Sequence, residues 1–485
     1  MAARGASGLA SIGVGEGDAI ALLLRNDTVF LEATIATGMV GAYAVPMNWH
    51  ERPDGVGYIL EDSGAKVLVA HADLLEAISG SLDLSGRLVL RVPTTATGEP
   101  EVCPEPETGL TWAEWANRFE PMAREKHRRP ASMIYTSGTT GRPKGVRRRP
   151  LDSRQAAAVA SMNQSVLGIR PGMRTVIPAP LYHTAPNAYT LGALLNRAFV
   201  VLRQGFDAEG LLADIETYRV THLQLVPTMF VRLLKLPEAV RARYDHSSLE
   251  HVVHAAAPCP PEVKRQMIDW WGPVIHEYYG STESGAVTYC DSDEWLAHPG
   301  TVGRPVEGGQ VRIVGPDGSE LPQGEPGEVY TYHPALGDFT YQGNDEARRS
   351  IELDGMITSG DIGYLDEDGY LYLCGRAKEL VISGGVNIYP AEVEAALISL
   401  PGVRDCAVFG IPDADLGEAL AAAVEPEPGT ELSERDVTSY LRARLGTLKT
   451  PRLVTFHDAL PREDSGKIFK RRLRDPYWQR AGRSI

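Results

Sequence analysis

Residues 135–146, which read YTSGTTGRPKGV, decide how this chain is interpreted. Glycine lets the backbone approach a ligand closely, and successive N–H groups in such turns form concavities that bind anions. The preceding residues 132–135 predict the end of a strand, so the loop is expected at the edge of a sheet. We therefore predict a site for a polyphosphate, formed by the hydroxyl-bearing residues Thr136, Ser137, Thr139 and Thr140, the glycines Gly138, Gly141 and Gly145, and Lys144.

A flexible surface loop is the simpler interpretation of a cluster of glycine, serine and threonine. The fixed order of the residues argues against it, because composition alone would not require that order. The stretch also differs from the phosphate loop of nucleotide triphosphatases, since no Gly-Lys-Ser/Thr follows at the required spacing.

Size and charge narrow the function classes. A chain of 485 residues exceeds what one hydrophobic core usually serves, so two or more domains are expected. The formal net charge of −15 argues against a general binder of nucleic acid or of an anionic membrane. Residues 147–149, three consecutive arginines, are a local exception that we interpret as a solvated basic turn.

Cysteine spacing and the apolar stretches favour a cytoplasmic protein. The five cysteines lie far apart without a C-x-x-C pair, which suits reduced thiols and gives no metal framework. Residues 1–18 lack an apolar core behind a basic head, so no secretory signal is predicted. Residues 29–47 are interrupted by Glu32 and Pro46 and predict a buried helix that leads into a strand, and no integral membrane segment.

Short apolar runs alternate with helical segments through most of the chain, which predicts parallel α/β layers. The runs are residues 19–24, 42–46, 66–70, 87–92, 174–178, 198–202, 221–226 and 251–254. After residue 300, turns rich in glycine and proline predict a smaller antiparallel element.

The character of the sequence changes near residues 375–378. Beyond them we predict a hairpin, a helix that begins at Pro390, a strand at 406–410 and a helix capped by Ser433. The predicted fold class is therefore α/β, with a large N-terminal domain of layered sheets plus a small β element (1–375) and a small mobile C-terminal α+β domain (376–485).

Five further motifs follow the loop: YYGSTE at 278–283, TSGD at 358–361, GRAK at 375–378, ISGGVNIYPAEVE at 382–394 and LPREDSGKI at 460–468. In this order they resemble the acyl-adenylate-forming (ANL) superfamily, which contains acyl-CoA synthetases, adenylation domains and luciferases. The resemblance covers essentially the whole chain. Members usually carry a few tens of residues before the first strand, so a shortened N-terminus is expected here.

The resemblance implies a role for each motif in nucleotide binding. Tyr279 and Gly280 would contact adenine together with the small-residue segment Ala256, Ala257 and Pro258. Thr282 would contact the α-phosphate, and Glu283 would ligate Mg²⁺, a hard cation that prefers carboxylate and phosphate oxygens. A strand-end turn with an incidental acid is the simpler alternative.

Three residues near the domain boundary would serve the ribose and the hinge. Asp361 would accept the ribose hydroxyls, although Ser359 replaces the residue usual before the glycine. Arg376 would lie near the ribose and phosphate, and Lys378 would be the pivot; an ordinary exposed lysine is the alternative.

The C-terminal motifs imply two alternating arrangements. Gly384 and Gly385 would line the tunnel for the pantetheine of coenzyme A, where a plain hairpin turn is the alternative. Lys467 would bridge the substrate carboxylate and the phosphate, as a compact charge on a flexible stem, whereas a basic tail is the alternative. His183 would be a gate between the acyl pocket and this tunnel, or a buried structural histidine, and Pro227 and Thr228 would help form the pocket wall.

The resemblance therefore predicts an AMP-forming acyl-CoA ligase with Lys144, His183, Thr282, Glu283 and Lys467 as catalytic residues. Its partners would be ATP, Mg²⁺, CoA and a medium-to-large apolar or polycyclic carboxylic acid of fatty-acid or secondary metabolism; a homodimer is one assembly that it allows. Three alternatives stay open: an adenylation domain that loads a phosphopantetheine carrier protein, an enzyme with one half-reaction, such as thioester formation from a supplied acyl-AMP, and a nucleotide-binding sensor without catalysis.

Overall fold

A computed structural model describes residues 1–94, 110–123, 127–136, 142–462 and 468–481. Its N-terminal part alternates helices and strands: α1 (Ala2–Ser11), β1 (Ala19–Leu23), α2 (Thr28–Met39), β2 (Tyr43–Pro46), α3 (Pro53–Asp62), β3 (Val67–His71), α4 (Ala72–Ser79), β4 (Leu88–Val92), α5 (Trp112–Ala116), β5 (Ile134–Thr136) and β6 (Lys144–Arg148).

The middle of the chain continues this alternation. Its elements are α6 (Ser153–Leu167), β7 (Arg174–Ile177), α7 (Thr184–Leu195), β8 (Phe199–Leu202), α8 (Ala208–Tyr218), β9 (His222–Leu225), α9 (Pro227–Leu234), α10 (Glu238–Arg241), β10 (His251–His254), α11 (Pro261–Trp271), β11 (Ile275–Ser281), β12 (Gly285–Cys290) and α12 (Ser292–Ala297).

Strands dominate after residue 300. The elements up to residue 376 are β13 (Arg304–Pro305), β14 (Gln310–Val314), β15 (Gly327–Tyr332), β16 (Phe339–Tyr341), the helix α13 (Asp345–Arg349), β17 (Glu352–Leu353), β18 (Met356–Leu365) and β19 (Leu371–Arg376). After a 3₁₀ turn (Ala377–Glu379) come β20 (Val381–Ser383), β21 (Val386–Ile388), α14 (Pro390–Leu397), β22 (Val403–Asp413), β23 (Gly417–Pro426), α15 (Glu434–Leu445), β24 (Leu453–Phe456) and α16 (Lys470–Arg480).

Two of the four sheets in the large N-terminal part are layered with helices, and a further small sheet has the order β16-β6-β5. The first has the parallel order β2-β1-β3-β4. The second has the order β13-β12-β11-β10-β9-β7-β8, parallel from β11 to β8 and antiparallel at β12 and β13. Their buried strands are mostly apolar, as expected for parallel strands that are covered on both faces. Strands β9 and β10 also carry the buried polar residues His222, Gln224 and His254. The predicted α/β fold class is confirmed, and so is the antiparallel element, β14-β15-β18-β17 with β19 on β18.

Capping explains several helix starts. Asp27 begins α2 by accepting the backbone N–H of Val29, and Ser433 begins α15 with a reciprocal capping box to Asp436. Pro390 occupies the first turn of α14, where its missing N–H costs nothing. The predicted starts at Pro390 and Ser433 are confirmed.

An ion pair inside the large part ties α11 to β11. The ammonium of Lys264 lies 2.7 Å from Glu277 Oε2, and both residues are buried. Removing one member of such a pair would leave an uncompensated buried charge, which is strongly destabilising. The pair therefore fixes β11 against the helix that covers it, just before residues 278–283.

Three histidines and a tyrosine form a column across neighbouring strands of the second sheet. Ring centroids of His222 and His251 are 6.0 Å apart, those of His251 and His276 are 3.9 Å apart, and those of His276 and Tyr289 are 5.8 Å apart. Burial lowers the pKa of His222 and of His251 to about 4 and that of His276 to about 3. The imidazoles are therefore neutral at physiological pH.

The C-terminal part has its own core, formed by β20 to β24, α14 and α15 around residues such as Val381, Leu397 and Val424. The division of the chain at residues 375–376 stays a prediction. No helix of the described residues is long and apolar enough to cross a membrane.

One end of the β22–β23 hairpin touches the large part. Lys235, which follows α9, donates hydrogen bonds to the carbonyl oxygens of Val403 and Arg404 and forms an ion pair with Glu427. Arg462 binds Asp405 at this same end and pairs with Ile468 across residues 463–467, which lie outside the described residues. Arg462, the last described residue before them, therefore lies at the end of the hairpin that contacts Lys235.

Candidate functional site

The turn between β11 and β12 is the centre of the candidate site, because it carries Thr282 and Glu283. The Oγ of Ser281 accepts the backbone N–H groups of Glu283 at 3.2 Å and of Ser284 at 3.0 Å. Ser284 in turn accepts the N–H of Ser281 at 2.9 Å. Two serines thus satisfy the backbone of the turn and fix where its side chains point.

Gly280 lies where the chain bulges and two backbones come very close. The register of β11 against β12 shifts between Tyr279 and Gly280. A Cβ atom at Gly280 would lie 1.7 Å from the carbonyl oxygen of Gly285. Only glycine fits there, which explains the position on packing grounds alone.

One end of the site joins three residues predicted to bind the nucleoside. The hydroxyl of Tyr279 donates to Asp361 Oδ2 at 2.8 Å, and Arg376 Nε lies 3.0 Å from Asp361 Oδ1. Burial raises the pKa of Tyr279 far above its ordinary value, so the phenol stays a donor. Strands β11, β18 and β19 therefore bring together a ring, an acid and a cation that lie far apart in the sequence.

The other end of the site joins two residues predicted to serve the phosphates. Tyr341 donates its hydroxyl to Glu283 Oε1 at 2.9 Å, and the ammonium of Lys144 lies 5.0 Å from the centroid of the same ring. Thr136 pairs with Lys144 across β5 and β6. Residues 137–141, which include Ser137, Gly138, Thr139, Thr140 and Gly141, lie outside the described residues, as does Lys467.

Arg148 is a site residue that the sequence interpretation missed. Its guanidinium donates to the carbonyl oxygens of Thr282 at 2.9 Å and Gly337 at 3.1 Å, and it also bonds the carbonyl of Glu283. Burial lowers its pKa to about 10, so the group stays charged near neutral pH. The prediction of a solvated basic turn is wrong for Arg148, because strand alternation turns it inward with Lys144 and Val146.

His183 lies close to the same turn. It is the N-cap residue of α7, and the next residue, Thr184, has its Oγ1 2.7 Å from Thr282 Oγ1. Burial lowers the pKa of His183 to about 4, so its imidazole is neutral at physiological pH. This environment suits both predicted interpretations, a gate or a buried structural histidine.

The small-residue segment follows β10 directly. Ala256, Ala257 and Pro258 are exposed, whereas Ala255 is buried. Ala256 has φ 74°, a left-handed conformation that is uncommon for a residue with a Cβ atom. An exposed backbone held in this way can present its peptide planes to a flat ligand, and such strain often accompanies function.

Gly384, Gly385 and Lys378 lie in the segment that begins the C-terminal part. Gly384 and Gly385 form the exposed turn between β20 and β21, with φ of 59° and 80°, and Gly384 donates its N–H to the carbonyl oxygen of Leu416. Leu416 lies at the end of the β22–β23 hairpin opposite Lys235. Lys378 lies in the exposed 3₁₀ turn that leads into this part.

The donor set fits a magnesium ion that arrives with a nucleotide. Within the described residues no group of three or more histidine, cysteine, aspartate or glutamate side chains could hold a metal by itself. Mg²⁺ is usually bound through one or two carboxylates together with substrate phosphates. A single carboxylate, Glu283, beside the phosphate-loop strand meets that description.

The described cysteines, Cys259, Cys290, Cys374 and Cys406, are unpaired.

Comparisons with known proteins identify a family for the chain. Residues 1–338 match the family model of AMP-binding enzymes, and residues 392–467 match that of the C-terminal domain of AMP-binding enzymes. The chain is 35% identical to a feruloyl-CoA synthase of Amycolatopsis over 97% of its length and 91% of the relative. It is 34% identical to a methyl-dioxo-octahydro-indenyl propanoyl:CoA ligase of Rhodococcus jostii, covering 97% and 91%. The anthranilate CoA ligase AuaEII, solved with anthranoyl-AMP, superimposes with a TM-score of 0.86 at 27% identity, covering 99% and 91%.

Proposed function

The chain belongs to the family of AMP-binding enzymes, and we propose that it activates a medium-to-large apolar or polycyclic carboxylic acid as its acyl-AMP. It is an AMP-forming acid–thiol ligase, an acyl-CoA synthetase. The observation that carries the proposal is the pair of constellations at either end of residues 279–283. One suits a nucleoside, and the other suits phosphates and a divalent cation.

The first step joins the acid to AMP. A carboxylate oxygen of the substrate attacks the α-phosphorus of ATP, the bond from that phosphorus to the β-phosphate oxygen breaks, and pyrophosphate leaves. Lys144, Thr282 and Lys467 would stabilise the charge that develops on the phosphate oxygens, which is where positioning and electrostatics contribute most. Mg²⁺, held by Glu283, would supply further neutralisation of phosphate charge.

The nucleoside end would hold AMP through both steps. Tyr279 and the backbone of 256–258 would contact adenine, while Asp361 would accept the ribose hydroxyls beside Arg376. Since Asp361 already accepts from Tyr279 and pairs with Arg376, its carboxylate is oriented in advance. Pre-orientation of this kind lowers the cost of binding.

The second step transfers the acyl group to coenzyme A. The thiolate attacks the acyl carbonyl carbon, and the bond to the AMP oxygen breaks. We propose that residues 376–485 rotate about Lys378 between the steps, withdrawing Lys467 and presenting Gly384 and Gly385 to the pantetheine. Large closures of this kind use a few hinge residues. The contact of Lys235 with Val403 and Arg404 suits the first arrangement, because it lies at the end that carries the Lys467 loop.

The proposed class of acid rests on two supports. The names of the two relatives specify an aromatic acid and a bicyclic propanoic acid, both of which are large and mostly apolar. In this chain, His183 is half-buried and neutral at the start of α7, which suits a pocket without a fixed charge. The reduced cysteines and the use of ATP and CoA further support a cytoplasmic location. A measurement of the molecular mass in solution tests whether the protein is a homodimer.

A panel of acids, assayed separately for pyrophosphate release and for CoA thioester, tests the proposal, with synthetic acyl-AMP as a second input. Apolar ring-containing acids should give both products. A thioester formed from acyl-AMP without pyrophosphate release from the acid would indicate an enzyme with one half-reaction. Acyl-AMP that reacts with a phosphopantetheine carrier protein but not with CoA would indicate a loading domain. Nucleotide binding without pyrophosphate exchange would indicate a sensor.

A further inference from the structure

We propose that Tyr341 is a positioning residue for the adenylation step, which orients the carboxylate of Glu283 through its hydroxyl and the ammonium of Lys144 through the face of its ring. The inference rests on the proposed function, since it assigns a purpose to contacts within that same site. Neither the sequence motifs nor the comparisons assign Tyr341 a role.

Tyr341 is fixed by its strand. It pairs with Val146 across β16 and β6, and its ring packs edge-on against Phe339 with centroids 5.7 Å apart. Its residue is 5% exposed, within a small core that also contains Val146 and Ile357. The strand pairing and the contact with Phe339 together fix the orientation of the Tyr341 ring. The position of its hydroxyl is therefore fixed as well.

The hydroxyl of Tyr341 orients Glu283. It donates to Oε1 at 2.9 Å, and a carboxylate with one oxygen held has its second oxygen oriented too. The backbone at this point is also fixed, because Arg148 binds the carbonyl oxygens of Thr282 and Glu283.

The face of the same ring holds Lys144. An ammonium 5.0 Å from a ring centroid lies within the range of cation–π attraction. In the described part of the chain no ion pair joins Lys144 to Glu283. A direct pair would neutralise both groups, whereas separate contacts with one phenol leave the lysine for a phosphate and the carboxylate for a cation.

The test separates the hydroxyl from the ring. Tyr341→Phe keeps the ring under Lys144 and removes the donor to Glu283, and Tyr341→Leu removes both. Tyr332→Phe is the matched control, because Tyr332 is 42% exposed at the end of β15. Each protein is assayed for pyrophosphate release over a range of Mg²⁺ concentrations and for thioester formation from supplied acyl-AMP. Calorimetry measures the affinity for α,β-methylene-ATP with and without Mg²⁺.

We expect Tyr341→Phe to raise the Mg²⁺ concentration for half-maximal adenylation about tenfold, the scale of one hydrogen bond to a charged group. The gain in analogue affinity that Mg²⁺ gives should fall by a similar factor, and thioester formation from acyl-AMP should change less than about twofold. Tyr341→Leu should also weaken the analogue without Mg²⁺, since Lys144 loses its support.

Two results would overturn the inference. One is a Tyr341→Phe variant with the Mg²⁺ dependence of Tyr332→Phe. The other is an equal loss of both half-reactions with a lowered unfolding temperature, which would assign Tyr341 a purely structural role. If the wild-type protein releases no pyrophosphate with any acid, the proposed function fails instead, and the calorimetric comparison still decides whether Tyr341 supports a magnesium nucleotide.

Discussion

The turn at 281–284 and the turn at 384–385 are built in opposite ways. The first is held by two serines, a buried arginine and a tyrosine, and it lies on a sheet braced by a buried ion pair. The second is exposed, consists of two left-handed glycines and belongs to a part with a separate core. Chemistry on phosphate needs the first kind of turn, since its donors must not reorganise. The proposed second arrangement would use the second kind of turn, since that segment would have to move towards the site.

A fall in pH should give the largest difference between the two parts, because it should destabilise the large part more than the C-terminal part. Eleven of the twelve histidines precede residue 376, and only His457 follows it. For His183, His222, His251 and His276 the folded pKa is about 3 to 4, below the ordinary value of 6.5. The unfolded chain therefore binds protons first, and the stability of the large part falls as pH drops from 6.5 towards 4. The four shifts have the same direction, so all four histidines contribute to that loss.

Thermal unfolding followed by near-ultraviolet circular dichroism checks this prediction. Six of the seven tryptophans lie before residue 376, so their signal reports the large part. The unfolding temperature of the large part should fall between pH 6.5 and 4 by more than that of the C-terminal part. Trp478 is the tryptophan that reports the C-terminal part. Parallel shifts of the two transitions would contradict the comparison.

Replacement of Lys467 should give the largest effect of a single substitution. Lys467→Ala should slow pyrophosphate release by about a hundredfold or more, the scale of one lost donor at a developing charge. Thioester formation from supplied acyl-AMP should be spared, because the proposed second arrangement withdraws this lysine. Lys449→Ala is the control, since that lysine lies on the same part and pairs with Glu392. An equal loss of both steps would count against two arrangements.

Replacement of Gly385 should show the opposite pattern at a smaller size. A Cβ atom there meets open space, so Gly385→Ala acts only through its φ of 80°. The left-handed conformation costs a residue with a Cβ about 1–2 kcal/mol, which corresponds to roughly tenfold slower thioester formation if the turn must keep its shape. Pyrophosphate release should be unchanged. Gly429→Ala, at φ 79° with equal space, is the matched control.

The contact between the parts should give the smallest effect. Lys235→Ala removes a partly exposed ion pair with Glu427 and two hydrogen bonds to carbonyl oxygens. Exposed pairs contribute about 0.2–1 kcal/mol, so adenylation should slow two- to fivefold without slower thioester formation. Arg219→Ala removes a comparable pair, with Asp245, that lies wholly in the large part and should change neither step. A slower second step in Lys235→Ala would show that this contact belongs to the other arrangement.

Most of the fold could be predicted because its signals are local. The apolar run at 251–254 is a strand with those bounds, and Pro390 and Ser433 start helices as their backbone chemistry requires. The hairpin of β22 and β23 was predicted only in part, at 406–410. Its alanine-rich second strand carries little β-propensity and is stabilised by its neighbours.

The candidate site was predictable where one motif holds several of its residues. Tyr279, Thr282 and Glu283 lie within one short run, and Asp361 and Arg376 belong to motifs of their own. Tyr341 and Arg148 were missed, because they meet Glu283 only through the pairing of β6 with β16. Alternation along β6 was the available signal for Arg148: a strand that turns Lys144 towards a ligand turns the residue four positions later the same way.

The length of the β22–β23 hairpin sets the order of events in the proposed scheme. Strand β22 runs from Val403, beside Lys235, to Asp413, near the glycine turn, a span of about 30 Å at the usual rise per residue. One body that long cannot bring both ends to the same phosphate at once. In the proposed scheme pyrophosphate would therefore depart before the thiol binds, and initial rates at varied ATP and CoA should give parallel double-reciprocal lines. Acyl-AMP would stay bound to the protein during each rotation of the C-terminal part. The protein would have to protect it from hydrolysis for that time.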